Sequence, residues 1–410
     1  MSETEETSSP EIAIVCDWLT NMGGAERVVL AMHEAFPDAP IFTSVFNPEG
    51  CPAFLGLDVR TTWLQKLPKS LRYKHQLWPV LRPAAFKKLD LKEYDIILSS
   101  ASAEAKAVVT RKQMAMHICY CHSPIRYYWS HYEEYMQNPG FGMLNPLVRL
   151  VMPAFVRWMR KRDLESTHGV NRFIANSHEV QRRIKEYYNR DSEVIFPPVD
   201  TNRLRPQAPV QKQDYYLVVG RQIPYKRLDL AVVACSQLNK RLVVIGKGSE
   251  HEELKRRGGA NVLFLENIED ADITAYFQQA KALIFPGRED FGITPVEALS
   301  AGTPVIAYKN GGALDYIQDG INGVFFESQT VDSLMAAIGR FEMINFDPRT
   351  VSDSAERFST ARFINELRES VLNHTNPNAG PPPAPQPPAL PPTPPKIGPI
   401  RPDDDGDVLV

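Results

Sequence analysis

Four charged side chains in the second half of the chain could together bind a diphosphate that carries a sugar. Arg221 and Lys226 follow Gly220, and seven residues separate Glu289 from Glu297. A guanidinium fork and a lysine ammonium can neutralise a diphosphate, although the same two cations also suit a solvated basic loop. Carboxylates beside such an anion would repel it unless each accepts hydrogen bonds from hydroxyl groups. The combination therefore favours a nucleotide sugar over a bare nucleotide as the ligand.

The residues between the two glutamates predict the start of a helix. Thr294 is a typical N-cap, Pro295 suits the first turn, and Glu297 occupies the capping-box position. This structural role accounts for Glu297 completely, but it leaves Glu289 and Gly292 unexplained. Gly292 would expose backbone N–H groups at the helix N-terminus, where the helix dipole favours an anion. We therefore predict a phosphate or sugar contact at this turn.

Two pairs of glycines mark further turns between predicted strands and helices. Gly23 and Gly24 follow the first predicted strand, and glycine there lets the backbone approach a ligand closely. The helix after them would offer free N–H groups to an anion, and a turn without a ligand is an equal alternative. Gly311 and Gly312 follow the last predicted strand. We interpret this second pair as a tight connection without a function of its own.

Strands and helices alternate along the chain, which predicts α/β domains with parallel sheets and crossover helices. Short apolar and β-branched runs are typical of strands that are buried on both faces. Pro197 and Pro198 remove backbone donors and stiffen the chain, so we place a domain boundary there. The predicted strands cover residues 11–17, 96–99, 117–120, 173–175, 215–220, 242–246, 262–265, 282–285 and 304–307. The predicted helices include residues 25–36, 228–238 and 354–372.

Composition argues against several other classes of protein. The 410 residues suffice for two α/β domains, and the formal net charge of −3 argues against a dedicated nucleic-acid-binding protein. The five cysteines are scattered and odd in number, so neither a disulfide framework nor a metal site is predicted. The start MSETEETSSPE is acidic where a signal peptide is basic and then apolar. No apolar run reaches the roughly 18–20 residues of a membrane-spanning helix, so we expect a protein that is soluble or lies on a membrane surface. The lack of a disulfide framework favours the cytoplasm as its location.

The residues of the second half resemble the retaining glycosyltransferases of family 4. Glu289 and Glu297 match the paired-glutamate signature of that family, and Gly220 with Arg221 and Lys226 resembles its diphosphate-binding residues. The resemblance extends over residues 11–372 and implies the GT-B architecture, in which two Rossmann-like, doubly wound domains face each other across a cleft. It implies an acceptor-binding domain over residues 11–200, a nucleotide-sugar-binding domain over 201–350, and a terminal helix over 351–373 that packs back on the first domain.

The first half resembles the same family more loosely. Gly23 and Gly24 resemble its first phosphate-side loop, and His122, in the segment YCHSP, resembles its histidine near the sugar. The segments TNMGGAERV and YCHSPIRYYW are most similar to the bacterial mannosyltransferases that build O-antigen and exopolysaccharide. That branch implies GDP-mannose as the donor, and a UDP- or ADP-sugar is the alternative.

The resemblance also implies a role for each site residue. Arg221 and Lys226 would stabilise the departing diphosphate, Glu289 would hold hydroxyls of the donor sugar, and Glu297 would hold the ribose hydroxyls. His122 would contact the sugar near the reacting carbon. The backbone that helps to bind the donor would be that of Phe291, Gly292, Ile293 and Thr294. Transfer would retain the anomeric configuration and need neither metal nor cofactor, since the nucleotide sugar is itself a substrate.

A membrane surface is a further expected partner. Eight basic and no acidic residues lie between Arg60 and Leu89, with Trp63, Tyr73, Trp78 and Phe86 interleaved, and a second basic–aromatic cluster covers residues 157–162. Basic residues gain energy near an anionic leaflet, and aromatic rings suit its headgroup layer. This favours a polyprenyl-diphosphate-linked glycan as the acceptor, and a solvated face with some core aromatics is the alternative. Residues 1–10 and the proline-rich residues 374–410 are predicted to be disordered tails.

Two other classes of protein remain as alternatives. A dinucleotide-binding protein would share the Rossmann halves, but it would need G-x-G-x-x-G after its first strand. Gly246-Lys247-Gly248 lacks the third glycine, which weighs against this class. A scaffold or inactive homologue could use the proline-rich tail to recruit partners, but the four charged site residues argue for an enzyme.

Overall fold

The computed structural model describes residues 10–73, 80–110, 112, 115–130, 132 and 145–373. Apart from Pro10, both predicted tails lie outside these residues. The strands are β1 (Ile12–Cys16), β2 (Ile41–Thr43), β3 (Val59–Thr61), β4 (Ile96–Ala101), β5 (Met116–Cys121), β6 (Arg172–Ala175), β7 (Ser192–Val194), β8 (Tyr216–Val219), β9 (Leu242–Ile245), β10 (Val262–Leu265), β11 (Ala282–Phe285), β12 (Val305–Tyr308) and β13 (Gly323–Phe326). The α-helices are α1 (Gly24–Ala35), α2 (Lys69–Arg72), α3 (Arg82–Phe86), α4 (Asn145–Thr167), α5 (His178–Tyr188), α6 (Thr201–Leu204), α7 (Leu228–Gln237), α8 (His251–Arg257), α9 (Asp270–Gln279), α10 (Ile293–Ser300), α11 (Ala313–Tyr316), α12 (Val331–Glu342), α13 (Pro348–Asp353) and α14 (Thr360–Leu372).

The strands form two separate parallel sheets, one in each half of the chain. The first has seven strands in the order β3-β2-β1-β4-β5-β6-β7, and the second has six in the order β10-β9-β8-β11-β12-β13. In both sheets the strand order reverses beside the first strand of the domain. Ligands bind at such a switch point, outside the carboxyl ends of the strands. The prediction of two Rossmann-like, doubly wound α/β domains is confirmed.

The central strands are apolar because helices cover both faces of each sheet. All five residues of β1 are buried, and alternate ones belong to two different hydrophobic clusters. In the second domain β9 and β11 are likewise buried throughout. Continuous apolar strands of this kind are expected in parallel sheets that are covered on both sides.

The chain passes between the domains twice, and the two passages lie side by side. The Val199 N–H donates to the Phe358 carbonyl at 2.9 Å, and the Thr360 N–H donates to the Val199 carbonyl at 3.1 Å. The predicted helix 354–372 is wrong in its first part, because a short 3-10 turn over Glu356–Phe358 interrupts it. The Ser359 hydroxyl then caps α14 by accepting from the Arg362 N–H.

Helix α14 lies on the first domain, although it follows the second in sequence. Phe363, Leu367 and Val371 are fully buried within a cluster that includes residues of β1 and α1. The Arg368 guanidinium donates to the Ala35 carbonyl at 2.8 Å, at the last turn of α1. The C-terminal helix therefore ties the end of the second domain to the first.

Candidate active site

The structure brings Lys226 and Glu289 together at the carboxyl edge of the second sheet. Lys226 Nζ lies 2.7 Å from Glu289 Oε1, and the two side chains are only 15% and 18% exposed. Gly220 follows β8 directly, at a φ of +149°, and a Cβ atom there would lie 3.2 Å from Lys226 Nζ. Glycine at this position therefore allows the ammonium group to lie directly over the backbone. These three predicted residues share one site because β8 and β11 are neighbours in the sheet.

The loop that carries Lys226 packs tightly on the next strand end. A Cβ atom on Gly246 would overlap the Gly220 carbonyl group, so glycine is needed for this approach. The buried Gln222 side chain donates to the Gly246 carbonyl at 2.6 Å, and its oxygen lies 2.7 Å from Nδ1 of His251. Arg221 is exposed, and its side chain makes no hydrogen bond or ion pair with another described residue. Arg221 thus adjoins the site through Gly220 and is open to solvent.

Helix α10 begins two residues earlier than the capping pattern indicates. Its N-cap is Gly292, at a φ of +86°, and none of the described side chains caps the helix, so the prediction of Thr294 as N-cap is wrong. A residue with a side chain would collide at this position, because a Cβ atom would lie 2.9 Å from Phe285 Cζ and 3.0 Å from Tyr316 Oη. The uncapped N-terminus leaves backbone donors of the first turn for a ligand. Phe291 is buried beneath this turn, where its ring packs edge-on against Tyr316.

The second glycine pair supports the loop that carries Glu289. The Gly312 N–H donates to the Glu289 carbonyl at 2.9 Å. A Cβ atom on Gly312 would lie 2.6 Å from the Phe291 carbonyl carbon, and one on Gly311 would overlap the Glu289 carbonyl oxygen. The turn at Gly311 and Gly312 therefore fixes the backbone on which Glu289 stands.

Across the cleft, the first turn of α1 faces the first turn of α10. A Cβ atom on Gly24 would lie 2.8 Å from Ile293 Cδ1, and Arg27 Nη1 lies 3.0 Å from Glu297 Oε1. The predicted residues Gly23, Gly24, Ile293 and Glu297 therefore meet at one place, although they belong to different domains.

The N-terminus of α1 is partly occupied by a side chain of its own helix. Gly23 is the N-cap, and Glu26 Oε2 lies 3.0 Å from the position that a Gly23 Cβ would take. Burial raises the pKa of Glu26 to about 7, and the charge of Asp17 contributes, against hydrogen bonds from the backbone of Glu26 and Gly23. Not all of the N–H groups expected here are therefore free for an anion.

His122 lies at the carboxyl end of β5, with its ring beside Tyr120. Its Nε2 atom lies 2.8 Å from Oγ of Ser100, a residue of the neighbouring strand β4 that pairs with Tyr120. Burial lowers the pKa of His122 to about 4, although Asp17 and Asp290 favour its charged form. The imidazole is therefore neutral at physiological pH, and it can form hydrogen bonds without adding a charge.

Sequence reasoning missed an ion-pair cluster that joins the two domains. Asp290, next to Glu289, is 4% exposed and pairs with both Arg126 and Arg183 of the first domain. His178 Nδ1 lies 2.7 Å from Asp315 Oδ1, which forms a second cross-domain contact. Arg126 stands four residues after His122 in the same motif, but nothing in the sequence indicates its partner 164 residues away.

Two family models match consecutive parts of the chain. The model described as Glycosyltransferase Family 4 matches residues 22–203, and the model described as Glycosyl transferases group 1 matches residues 200–358. The junction of the two models coincides with the passage at Val199. The chain carries the two domains of a GT-B glycosyltransferase.

Curated relatives of this glycosyltransferase include mannosyltransferases at low identity. A GDP-mannose-dependent alpha-(1-6)-phosphatidylinositol monomannoside mannosyltransferase of Mycolicibacterium smegmatis is 26% identical over 258 residues, which is 50% of this chain and 67% of the relative. The alpha-1,3/1,6-mannosyltransferase ALG2 of mouse is 24% identical over 417 residues, which is 85% of this chain and 93% of the relative. Matches to two other relatives span 56% and 46% of their length.

Solved glycosyltransferase structures share the fold. The crystal structure of Anabaena HepE in complex with UDP and glucose is 19% identical, with a TM-score of 0.62 over 88% of this chain and 99% of that chain. Sucrose-phosphate synthase from Thermosynechococcus elongatus is 16% identical, with a TM-score of 0.63 over 90% of this chain and 99% of that chain. At this identity the likeness establishes the GT-B fold.

Proposed function

We propose that this glycosyltransferase moves mannose from GDP-mannose onto a glycan or lipid-linked glycan, in the synthesis of a cell-surface polysaccharide. The observation that carries the proposal is the contact between Lys226 and Glu289 beside Gly220. The Lys226 ammonium group, which would bind the diphosphate, and the Glu289 carboxylate, which would bind the sugar hydroxyls, lie within hydrogen-bond distance of each other. Bound donor would place its anion on Lys226 and Arg221 and its hydroxyls on Glu289.

The positive groups of this site suit the chemistry of a diphosphate leaving group. The bond between the anomeric carbon and the diphosphate oxygen breaks while charge accumulates on the phosphate oxygens. Lys226, Arg221 and the uncapped N-terminus of α10 would stabilise that charge, and groups that are fixed before the reaction do so most effectively. In this proposal they do so without a metal ion.

The remaining steps follow from the positions of the neutral and hydroxyl-binding groups. The acceptor oxygen bonds to the anomeric carbon on the face that the diphosphate leaves, which retains the configuration, and its proton passes to the leaving phosphate. His122, neutral and held by Ser100, would bind a sugar hydroxyl near that carbon. Glu297 would exchange its bond to Arg27 for the ribose hydroxyls.

Two relatives that are named as mannosyltransferases support the choice of donor. One is named as GDP-mannose-dependent and another as an alpha-1,3/1,6-mannosyltransferase. A thermal-shift panel with GDP, UDP, ADP and NAD tests the choice directly. The proposal expects stabilisation by GDP; stabilisation by UDP or ADP would instead give the same chemistry with another donor, and stabilisation by NAD alone would overturn the function.

The stereochemical course has its own test. GDP-mannose is an α-linked donor, so retention predicts an α-linked product. The one-bond coupling between the anomeric carbon and its proton in the NMR spectrum distinguishes the two anomers. A β-linked product would contradict the proposed mechanism while leaving the transferase activity intact. A panel of short glycans supplies the acceptor for this assay, so the natural acceptor need not be identified first.

One face of α4 supports the proposal of a membrane-bound acceptor. Val151, Phe155 and Trp158 are 56%, 38% and 42% exposed and recur at helical spacing, and the Arg162 guanidinium lies 4.9 Å from the centre of the Trp158 ring. Exposed apolar side chains flanked by cations suit an anionic headgroup layer. Among the described residues, no helix is both long and apolar enough to cross a bilayer.

The other basic stretch does not form a single surface. Arg82 is 5% exposed, with Nε 3.3 Å from Glu104, and Phe86 is fully buried, so these two residues belong to the interior. Lys74 and Trp78 lie outside the described residues. We therefore assign membrane contact to α4. Flotation with anionic liposomes at low salt tests this assignment, with Trp158→Ser as the variant; equal binding of both proteins, or none by either, would contradict it.

A further inference from the structure

The buried carboxylate of Asp290 belongs to one domain, while its cationic partners belong to the other. Arg126 Nη2 lies 2.5 Å from Asp290 Oδ2, and Arg126 Nε lies 2.9 Å from the same oxygen. Arg183 pairs with the other oxygen, Oδ1. Both arginines belong to the first domain, where one follows β5 and the other lies on α5. Each oxygen of the Asp290 carboxylate thus forms an ion pair with an arginine from the other side of the cleft.

A carboxylate at this depth needs its partners. The Asp290 side chain is 6% exposed and that of Arg183 is 4% exposed, so water screens little of their attraction. The pKa of Asp290 is lowered although burial alone would raise it, because Arg126 and Arg183 favour the ionised form. If the domains moved apart, the carboxylate would lose both cations at once, which is strongly unfavourable for a buried charge.

The residue on the other side of Glu289 is held from the first domain as well. Arg288 Nη2 lies 2.7 Å from Oε1 of Glu179 on α5, and Arg183 Nη2 lies 3.0 Å from that oxygen. Helix α5 therefore contacts the residue before Glu289 and the residue after it. Within its own domain the Glu289 carbonyl is fixed only by the Gly312 N–H among the described hydrogen bonds.

We propose that Arg126 and Arg183 are positioning residues, which align the Glu289 carboxylate through Asp290 only when the two domains are closed. The idea rests on the proposed function, in which Glu289 holds the donor sugar. Neither arginine needs to touch the donor. Because of these two arginines, the loop that carries Glu289 is aligned only when the domains are closed. The donor is then not activated in an open cleft, where water could replace the acceptor.

The first experiment separates binding from turnover. Arg126→Gln, Arg126→Lys and the control Lys185→Ala are compared with the unmodified protein; Lys185 lies on α5 and pairs with the exposed Asp191, away from the cleft. GDP affinity is measured by calorimetry, and turnover by the release of GDP from GDP-mannose. Arg126→Gln should lower kcat at least tenfold and change the GDP Kd less than threefold. Arg126→Lys should recover part of kcat, because it keeps the charge but loses the fork.

The second experiment does not depend on activity. Small-angle scattering of the free protein should give a larger radius of gyration for the Arg126→Gln/Arg183→Gln double variant than for the unmodified protein or Lys185→Ala. Circular dichroism verifies that the variant is folded, and if the double variant is unfolded, Arg126→Gln alone is measured. Equal radii overturn the proposal, as does a kcat of Arg126→Gln within tenfold of the unmodified protein or a GDP Kd that changes more than threefold. If no nucleotide sugar is turned over at all, the proposed function fails, and the scattering still decides whether the two arginines hold the domains closed.

Discussion

Arg27 of the first domain binds Glu297 of the second, with 3.0 Å between Nη1 and Oε1. The contact joins the first turns of α1 and α10, which face each other across the cleft. Glu297 is also the residue that we expect to hold the ribose hydroxyls. The two partners therefore compete for one carboxylate, so that a bound nucleotide must displace the arginine.

This competition predicts that removal of Arg27 tightens nucleotide binding. The Arg27 side chain is 45% exposed, so the pair contributes roughly 0.2–1 kcal/mol. Arg27→Ala should accordingly lower the Kd for GDP by up to about fivefold, and Glu297→Ala should raise it. Calorimetric titration with GDP measures both. Arg340→Ala, which removes an ion pair to Asp319 within the second domain, is the control. Weaker GDP binding by Arg27→Ala would show that the arginine assists the ligand.

Loss of a cation at the proposed diphosphate site should lower turnover far more than it lowers stability. Lys226→Ala removes the ammonium group 2.7 Å from Glu289, and one such preorganised charge is commonly worth about 10²–10³ in rate. Arg221→Ala should also lower turnover. Because Arg221 is exposed, the unfolding free energy of this variant should differ from that of the unmodified protein by no more than about 0.5 kcal/mol.

The matched control for these variants is Lys309→Ala. Lys309 lies in the same domain and pairs with Glu327 at 2.8 Å, and both side chains are largely exposed. Its turnover should equal that of the unmodified protein. Release of GDP from GDP-mannose and thermal unfolding are measured for all three variants. Turnover near the normal value in Lys226→Ala would refute the assignment of the diphosphate site.

Apart from β2, which was missed, the central strands of both sheets could be predicted because burial on both faces leaves a continuous apolar run. Residues 12–16 and 242–245 show it plainly, and the predicted ends of these strands differ from the observed ones by at most one residue. The edge strands β3 and β7 were missed because they lack such an apolar run. Their sequences, VRT and SEV, are short and contain charged residues because one side of each strand has no neighbour in the sheet.

The candidate site was predictable where it depends on one domain and not where it depends on two. Lys226 and Glu289 both follow buried strands, so their meeting at one sheet edge follows from a parallel topology. The pairing of Asp290 with Arg126 depends on how the two domains face each other, which no local pattern records. The error at Thr294 has a local cause, because the positive φ of Gly292 starts the helix before a side-chain cap is needed.

The buried Glu26 predicts a pH-dependent difference in stability. Its pKa is raised from 4.5 to about 7, chiefly by burial, so the folded state favours the neutral carboxyl. The contribution of this group to stability is therefore complete below pH 4.5 and is lost as the pH rises through 7. Glu26→Gln, which stays neutral, should match the unmodified protein at about pH 4.5 and exceed its stability at about pH 8 by roughly 1–3 kcal/mol.

Denaturant unfolding at several pH values measures this difference. Glu34→Gln is the control, since Glu34 is an exposed residue of the same helix and its substitution should give no such trend. A stability difference between Glu26→Gln and the unmodified protein that stays constant across this pH range would mean that folding does not raise the pKa of Glu26.

Gly312 predicts that a single methyl group will disturb the Glu289 loop. A Cβ atom there would lie 2.6 Å from the Phe291 carbonyl carbon, so the loop must move to admit it. Overpacking of this kind costs about 1–3 kcal/mol, and the shift should also lower turnover, because the Gly312 N–H holds the Glu289 carbonyl. Gly339→Ala is the matched control. Gly339 lies within α12, and a Cβ atom there would have no neighbour within 4 Å, so alanine should stabilise the helix by about 0.5–1 kcal/mol. Thermal unfolding and GDP release compare the two variants, and a Gly312→Ala protein as stable and active as Gly339→Ala would show that the turn does not support the site.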